Sequence, residues 1–329
     1  MKLVALLVLA ACGSSVPEGA LDPMLGAYTY PHPVATHEIV AQKQKLTMAY
    51  MDVAPLAAGN GKTVLLLHGK NFSAASWTTT IRTLTEVGYR VIAPDQIGFG
   101  KSEKPDRFQF SFEAMVDATR SLLDARGIDK VSVVGHSMGG MLAVRFARTL
   151  PARTEKLVLV NPIGLEDWRM LGVPPATIDA LYTKELAATP DSIRDYMKTA
   201  YFGGEWKPEY EPLIAIQAGW TKHPAYPVVA WNAALTADMI FTQPVVHELP
   251  RLTMPTLLII GQRDRTALGK DRAPKDLAAT LGDYPALGKR AAEVIPGAKL
   301  VALEGVGHLP QVEAFDAYAS ALLDFLGGR

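Results

Sequence analysis

Short apolar runs alternate with amphipathic stretches along most of the chain. The apolar runs predict strands, which span residues 45–53, 63–69, 89–95, 130–137, 156–162, 256–264 and 298–305. Apolar residues at helical spacing predict helices at 74–87, 111–126, 138–150, 288–295 and 314–326. Runs that are apolar on both faces are typical of parallel strands covered by helices. The pattern therefore predicts an α/β protein with a doubly wound, mostly parallel sheet.

One long segment interrupts this alternation. Residues 163–250 show helical patterns broken by prolines, and they hold four of the five tryptophans. We interpret them as a mainly helical cap over the carboxyl edge of the sheet, and residues 37–162 and 251–329 as the core. Residues 265–290 form a long connector with two internal prolines, for which we expect a place beside the cap.

The first residues have the pattern of an export signal. Residues 1–11 carry one lysine, then an apolar run and small residues, which predicts a signal peptide. Their end, "LAAC" (9–12), resembles the lipobox of bacterial lipoproteins, in which the cysteine carries lipid. We therefore expect an exported protein anchored to a membrane through lipid on Cys12, with residues 12–36, rich in Gly, Ser and Pro, as a tether. In a Gram-negative cell, the glycine after Cys12 favours the outer membrane or its periplasmic face. An ordinary signal peptide is the alternative.

Composition limits the partners and cofactors. The 329 residues include 33 Lys plus Arg and 33 Asp plus Glu, so the formal net charge is zero. Because there is no basic run, we expect no nucleic-acid partner. The chain has neither a phosphate-binding glycine loop with its lysine nor metal-spaced ligands, so we expect no cofactor and no metal. Cys12 is the only cysteine, which excludes an internal disulfide, and the oligomeric state is left open.

A serine stands between two glycines where a predicted strand meets a predicted helix. In "VSVVGHSMGG" (131–140), Gly135 and Gly139 lie two residues either side of Ser137. A tight turn there would hold a nucleophilic hydroxyl clear of the backbone, and glycines remove collisions across it. The N–H of Met138 would open the helix and could stabilise an oxyanion. A structural turn with an inert serine is the alternative.

A serine nucleophile needs a base, and the base needs an acid. Of the seven histidines, only His308 follows every predicted strand, in a glycine-rich loop that can return to the serine. Asp264 ends the strand 256–264 at the carboxyl edge, where it can orient that histidine. Glu166 or Asp167, after the preceding strand, is the alternative acid.

The order Ser137, Asp264, His308 resembles that of the α/β-hydrolase superfamily. The loop "LLLHGKNFSAASW" (65–77) and the loop "PDQIGFGKSEKP" (94–105) resemble that family as well, and the resemblance covers roughly residues 37–327. It implies the α/β-hydrolase fold with its cap inserted after the sixth strand. It also implies that the N–H of Lys70 is the second oxyanion donor, with Asn71 as an alternative contributor. His68 and the 94–105 loop are expected to be structural.

A serine nucleophile limits the reactions that the resemblance implies. Relatives that cleave alkyl halides and epoxides use aspartate, and alkyl transfer to serine would leave an ether that water cannot release. The resemblance thus implies a serine hydrolase of carboxylic esters, acting on a small to medium apolar molecule. Residues expected to line its pocket are Asn71, Trp168, Trp206 and Trp231.

Two other functions stay open. One is a hydrolase of carbon–carbon bonds in dienoate ring-cleavage products, whose relatives bind a carboxylate with a cap arginine. Arg169 and Arg194 are the candidates for that role here. The other is a binding protein that uses a hydrolase scaffold without catalysis.

Overall fold

A computed structural model of the chain describes residues 17–327, and these residues form one mixed sheet of eight strands. The predicted signal peptide and Cys12 lie outside the described residues. In chain order, the strands are β1 (Val34–Ala41), β2 (Gln44–Val53), β3 (Thr63–Leu67), β4 (Arg90–Pro94), β5 (Val131–His136), β6 (Thr154–Val160), β7 (Thr256–Gly261) and β8 (Lys299–Leu303). Their order across the sheet is β1-β2-β4-β3-β5-β6-β7-β8. The pairs formed by β1 with β2 and by β2 with β4 are antiparallel, and the other pairs are parallel.

Helices cover both faces of this sheet. They are α1 (Thr78–Glu86), α2 (Phe112–Ala125), α3 (Met138–Thr149), α4 (Ile178–Leu186), α5 (Pro190–Ala200), α6 (Glu211–Thr221), α7 (Tyr226–Thr242), α8 (Lys275–Thr280), α9 (Tyr284–Val294), α10 (Pro310–Glu313) and α11 (Phe315–Leu326). Within residues 17–327, none of them combines the length and the apolar character needed to cross a bilayer.

Successive residues of a strand point to opposite faces, and the central strands are apolar on both. In β7, Leu257 and Ile259 pack with α1 and α11, whereas Leu258 and Ile260 pack with α2, α3 and α9. Two apolar layers therefore enclose the sheet. The predicted doubly wound, mostly parallel fold is confirmed.

The inserted segment is helical and follows the sixth strand. Helices α4 to α7 all lie between β6 and β7. An apolar cluster around Met197, Phe202 and Tyr210 joins this segment to Leu309 of the core. The connector 265–290 contributes α8 and the start of α9. It contacts the segment after β6, where Arg272 donates to the carbonyl of Pro174.

Strand β1 and helix α9 differ from the sequence prediction. Strand β1 was not predicted, because as an edge strand it buries little of its surface and its apolar pattern is weak. Helix α9 begins at Tyr284 instead of residue 288, since Pro285 stands in its first turn. Proline is favoured there because the first turn has no use for its missing N–H, so this proline opens the helix and does not break it.

The predicted tether is also different. Residues 17–33, which we call the strap, pack across the cap and the core. Leu21 N–H donates to the carbonyl of Gly219 in α6, and Leu25 is fully buried. Tyr30 donates its hydroxyl to Asp95 Oδ2 at 2.7 Å. Glycine and proline content suggested a flexible chain, but the apolar side chains spaced between them bind this segment to the fold.

Replacing Leu25 with alanine should destabilise the protein if the strap is packed in solution. Loss of a fully buried leucine is expected to lower the free energy of unfolding by about 3 kcal/mol. Met24→Ala is the matched control, because Met24 is 41% exposed, and its effect should stay under about 0.5 kcal/mol. Urea unfolding followed by tryptophan fluorescence measures both. If both substitutions change the free energy of unfolding by the same small amount, the strap is a tether and is not packed on the fold.

Candidate active site

Ser137 sits in the turn between β5 and α3. Its backbone has φ 56° and ψ −120°, a conformation that side-chain-bearing residues rarely adopt and that costs on the order of 1–3 kcal/mol. The turn is fixed from outside the serine: Ser137 N–H donates to the carbonyl of Val160, and Ile163 N–H donates to the carbonyl of Ser137. The end of β6 thus holds the serine in place.

The two flanking glycines permit close backbone contacts. A Cβ on Gly135 would lie 2.2 Å from the carbonyl oxygen of Gly139. A Cβ on Gly139 would lie 2.1 Å from the carbonyl oxygen of Leu67, at the end of β3. Any side chain at either position would separate α3 from β5 or from β3.

The structure brings together the three side chains that the sequence singles out. Ser137 Oγ lies 3.0 Å from His308 Nε2, and His308 Nδ1 lies 2.6 Å from Asp264 Oδ2. A carboxylate can only accept, so Nδ1 carries the proton and Nε2 is free to accept from the serine hydroxyl. His308 and Asp264 are fully buried, and Ser137 is 5% exposed.

The charge state of Asp264 follows from its partners. Burial alone would raise the pKa of this carboxyl, but His308 and the hydrogen bond from the Thr266 backbone outweigh burial and lower the pKa below its ordinary value. The Thr266 N–H donates to Oδ1 at 2.8 Å. Asp264 is therefore an anion at neutral pH, as an orienting carboxylate must be.

The two alternative acids, Glu166 and Asp167, contact other groups instead of His308. Glu166 accepts the N–H of Gly282, and Asp167 lies 3.0 Å from the ring of His247. Neither contacts His308.

A second histidine, His136, adjoins the site without competing for the serine. Its Nε2 donates to the carbonyl of His308 at 2.9 Å. Burial, followed by the nearby His308, lowers the pKa of His136 to about 3. His136 is therefore neutral at physiological pH, and it supports the backbone of the loop that carries His308.

Sequence reasoning missed one polar residue beside the acid. Asn161, fully buried at the end of β6, donates Nδ2 to Asp264 Oδ2 at 2.7 Å and accepts the Gly261 N–H at 2.9 Å. It thus joins the end of β7 to the carboxylate. The available signal was a lone asparagine closing the apolar run "KLVLVNP" (156–162), which resembles an ordinary turn residue.

Two backbone N–H groups belong to segments that adjoin the serine. A Cβ on Gly69 would lie 3.1 Å from Ser137 Cβ, so the loop after β3 adjoins the nucleophile. Within residues 17–327, the N–H groups of Lys70 and Met138 donate no hydrogen bond. Met138 also opens α3, whose dipole favours negative charge at that end. The pair can therefore bind an oxyanion.

The side chains of Lys70 and His68, in the loop after β3, make contacts elsewhere. Lys70 Nζ pairs with Glu185 of α4 at 2.7 Å, so the lysine ties the loop to the cap. His68 Nδ1 donates to the carbonyl of Gly69, and its Nε2 accepts the N–H of Gln96. His68 has a structural contact on each side.

The loop 94–105 supports the floor of the site. Asp95 accepts the N–H groups of Ala74 and Lys101 in addition to the Tyr30 hydroxyl. A Cβ on Gly100 would lie 2.1 Å from the Asp95 carboxyl carbon, so only glycine fits there.

The cap contacts His308, the candidate catalytic histidine. His308 N–H donates to the carbonyl of Tyr201 at 3.0 Å, and the two rings are 4.5 Å apart between centroids. Asn71 Nδ2 donates to the Tyr201 hydroxyl at 2.8 Å. A Cβ on Gly307 would lie 1.9 Å from the Tyr201 carbonyl oxygen, so this glycine allows the contact.

The tryptophans expected to line the pocket serve other purposes. Trp168 is buried in the main core and stacks on Phe241, Trp206 packs in the apolar cluster around Phe202, and Trp231 donates to a core carbonyl. Their large rings are used to bury the cap. Among the predicted pocket residues, Asn71 lines a cavity beside the site. In the described part of the chain, no three His, Cys, Asp or Glu side chains are grouped to hold a metal ion.

A strand–turn–helix serine with a buried His–Asp pair, at the carboxyl edge of a capped, mostly parallel sheet, defines the class of α/β hydrolases. The model of the alpha/beta hydrolase family matches residues 64–321. The chain belongs to this family and is a hydrolase.

Relatives fall into more than one kind of hydrolase. A crystal structure of a probable hydrolytic enzyme from Pseudomonas aeruginosa PAO1 has a TM-score of 0.91 and 50% identity, covering 93% of this chain and 98% of that one. A 2-hydroxy-6-oxo-6-phenylhexa-2,4-dienoate hydrolase from Burkholderia cepacia is 29% identical over 82% of this chain and 89% of its own length. Lipase 1 from Psychrobacter immobilis is 29% identical over 84% of this chain and 81% of its own length.

Removing the Asn161 side chain should weaken the candidate nucleophile. Asn161→Ala deletes a hydrogen bond to a charged group, and the second-order rate constant for labelling Ser137 with a fluorophosphonate should fall about tenfold. Asn232→Ala is the control, because Asn232 is equally buried but donates to the carbonyl of Val228 in the cap. An unchanged labelling rate in Asn161→Ala would remove Asn161 from the site.

Proposed function

We propose that this protein is a serine hydrolase that cleaves carboxylic esters of small to medium apolar molecules through an acyl-enzyme. The observation that carries the proposal is the continuous chain of contacts from Asp264 through His308 to Ser137, beside the two unused N–H groups of Lys70 and Met138. Nucleophile, base, acid and oxyanion donors are the components that acyl transfer requires.

The proposed reaction has two halves. Ser137 Oγ attacks the ester carbonyl carbon while His308 Nε2 takes the hydroxyl proton, and the N–H groups of Lys70 and Met138 bind the oxyanion. The C–O bond to the alcohol breaks as His308 returns that proton to the leaving oxygen. Water then attacks the acyl-enzyme with His308 as base, and the carboxylic acid leaves Ser137.

Charge around the site supports an ester over a dienoate. The two arginines considered for binding a carboxylate are both in ion pairs on the cap: Arg169 with Asp167, and Arg194 with Asp191 and Glu211. Both already have acidic partners, so a substrate carboxylate would have to compete with Asp or Glu side chains for them. The similarity to the Burkholderia cepacia dienoate hydrolase keeps carbon–carbon hydrolysis as the second candidate.

Hydrolysis of p-nitrophenyl esters from acetate to dodecanoate tests this function. We expect hydrolysis by the wild type and a loss of at least about 1,000-fold in kcat for Ser137→Ala, since the nucleophile is removed. Ser132→Ala is the matched control, because Ser132 is a buried serine of β5, the strand that leads to Ser137. It should retain activity.

Other outcomes point to the other functions. If no ester is cleaved but a 2-hydroxy-6-oxo-dienoate is, with the same dependence on Ser137, the ester assignment is wrong and carbon–carbon hydrolysis replaces it. If neither substrate reacts and fluorophosphonate does not label Ser137, the binding-protein alternative is correct.

We also propose that the protein is exported and anchored through lipid on Cys12. The "LAAC" sequence supports this, and the packing of the strap adds a geometric consequence. Leu21 and Asp22 contact Gly219 and Trp220 of α6. Five residue steps separate Cys12 from Pro17, and they span about 18 Å at most. The anchor would therefore hold the α6 side of the cap close to the membrane surface.

Metabolic labelling with an alkyne-bearing fatty acid, followed by membrane fractionation, tests the anchor. The wild type should be labelled and sediment with membranes, whereas Cys12→Ser should be unlabelled and remain in the supernatant. A Ser14→Ala variant, changed two residues away, should behave as the wild type. Unlabelled wild type would contradict the anchor and leave the hydrolase proposal untouched.

A further inference from the structure

A cavity of about 530 Å³ lies beside the candidate site, where four parts of the chain meet. Tyr28 of the strap, Ile216 and Trp220 of α6, Thr79 of α1 and Phe315 of α11 all line it. The cavity opens to solvent on the side of Thr79, which is exposed, and its volume is within the range of small-molecule sites, about 300–1,000 Å³. The cavity is therefore large enough to bind a ligand.

The walls indicate what kind of ligand would fit. None of the residues that line the cavity is acidic or basic. The walls from α6 and the C-terminal helices are mainly apolar, and the wall from α1 and the turn before it carries serine and threonine hydroxyls. Burying a charge among these groups would be costly, whereas an uncharged alkyl chain would gain free energy from every methylene buried.

Phe72 connects the cavity to residues that adjoin the candidate site. Phe72 lines the cavity, and its ring lies 5.7 Å from the ring of His136 and 6.3 Å from that of Tyr201, between centroids. Tyr201 in turn lies on His308. None of the three triad candidates lines the cavity, whereas Phe72 lines it and also contacts His136 and Tyr201, which adjoin His308.

We propose that this cavity binds the uncharged acyl chain of the substrate, with Phe72 between the chain and Ser137 and with the strap as one wall. The proposal rests on the proposed ester hydrolysis and deepens it, because it assigns the substrate class as esters of chains longer than acetate. The ester carbonyl lies at Ser137, and the chain extends past Phe72 towards α6. The strap is then part of the binding site.

Filling the cavity from α6 tests the proposal. Ile216→Trp places an indole ring in the cavity, whereas Ala215→Trp adds the same ring to the exposed side of the same helix. In the full chain, Ile216→Trp should lower the ratio of kcat/KM for octanoate to that for acetate at least tenfold. Ala215→Trp should leave this ratio within twofold of the wild type. An unchanged ratio in folded Ile216→Trp would overturn the proposal.

Binding without reaction separates this proposal from the hydrolase assignment. In the Ser137→Ala background, calorimetry with 1-octanol should show binding that Ile216→Trp weakens at least tenfold and Ala215→Trp does not. If ester hydrolysis fails but this pattern is found, the cavity remains an alkyl-chain site and only the reaction is wrong. If octanol binds equally to both tryptophan variants, the cavity proposal is wrong. It is also wrong if octanol binds neither the parent protein nor the variants. Thr79→Trp fills the cavity from the opposite wall and replaces Ile216→Trp if that variant does not fold.

Discussion

The close contact between the turn at Ser137 and the end of β3 determines the rest of the site. Because Gly139 has no side chain, the start of α3 can approach the carbonyl of Leu67, and because Gly135 has none, the turn can close on itself. This approach places the loop after Leu67 against the serine, so that Gly69 and Ser137 are in close contact. The strained serine backbone is stable because neighbouring strands hold it through hydrogen bonds to both of its peptide groups.

The histidine side of the site depends on a different contact, made between the core and the cap. The loop carrying His308 has its backbone bound on two sides, by the Tyr201 carbonyl from the cap and by the ring of His136 from β5. Its ring is bound by Asp264, which Asn161 fixes to the adjacent strand. A movement of the cap at Tyr201 would therefore act directly on the orientation of the base. In this arrangement the cap is part of the geometry of the candidate site as well as a cover for it.

Much of this architecture could be predicted because its signals are local. Apolar runs locate the central strands, and the glycines around Ser137 identify a tight turn by the collisions they avoid. The remainder depends on contacts between distant segments. An asparagine that ends a strand, such as Asn161, has the same local pattern whether it faces solvent or a buried carboxylate. A tryptophan such as Trp168 is equally apolar in a core and in a pocket. A segment rich in glycine and proline resembles a linker until the burial of a residue such as Leu25 is known.

The strap connects these observations, because it binds the cap and the core at once. On the cap side, Trp220 donates to the carbonyl of Asp22, and on the core side, Lys101 donates to the carbonyl of Leu25. Separating α6 from the loop 94–105 would break contacts at one of these ends and expose apolar surface, which costs free energy. A route to the serine that leaves the strap in place avoids that cost. The cavity lined by the strap and Phe72 lies on such a route in the proposed binding mode, in which the acyl chain extends past Phe72.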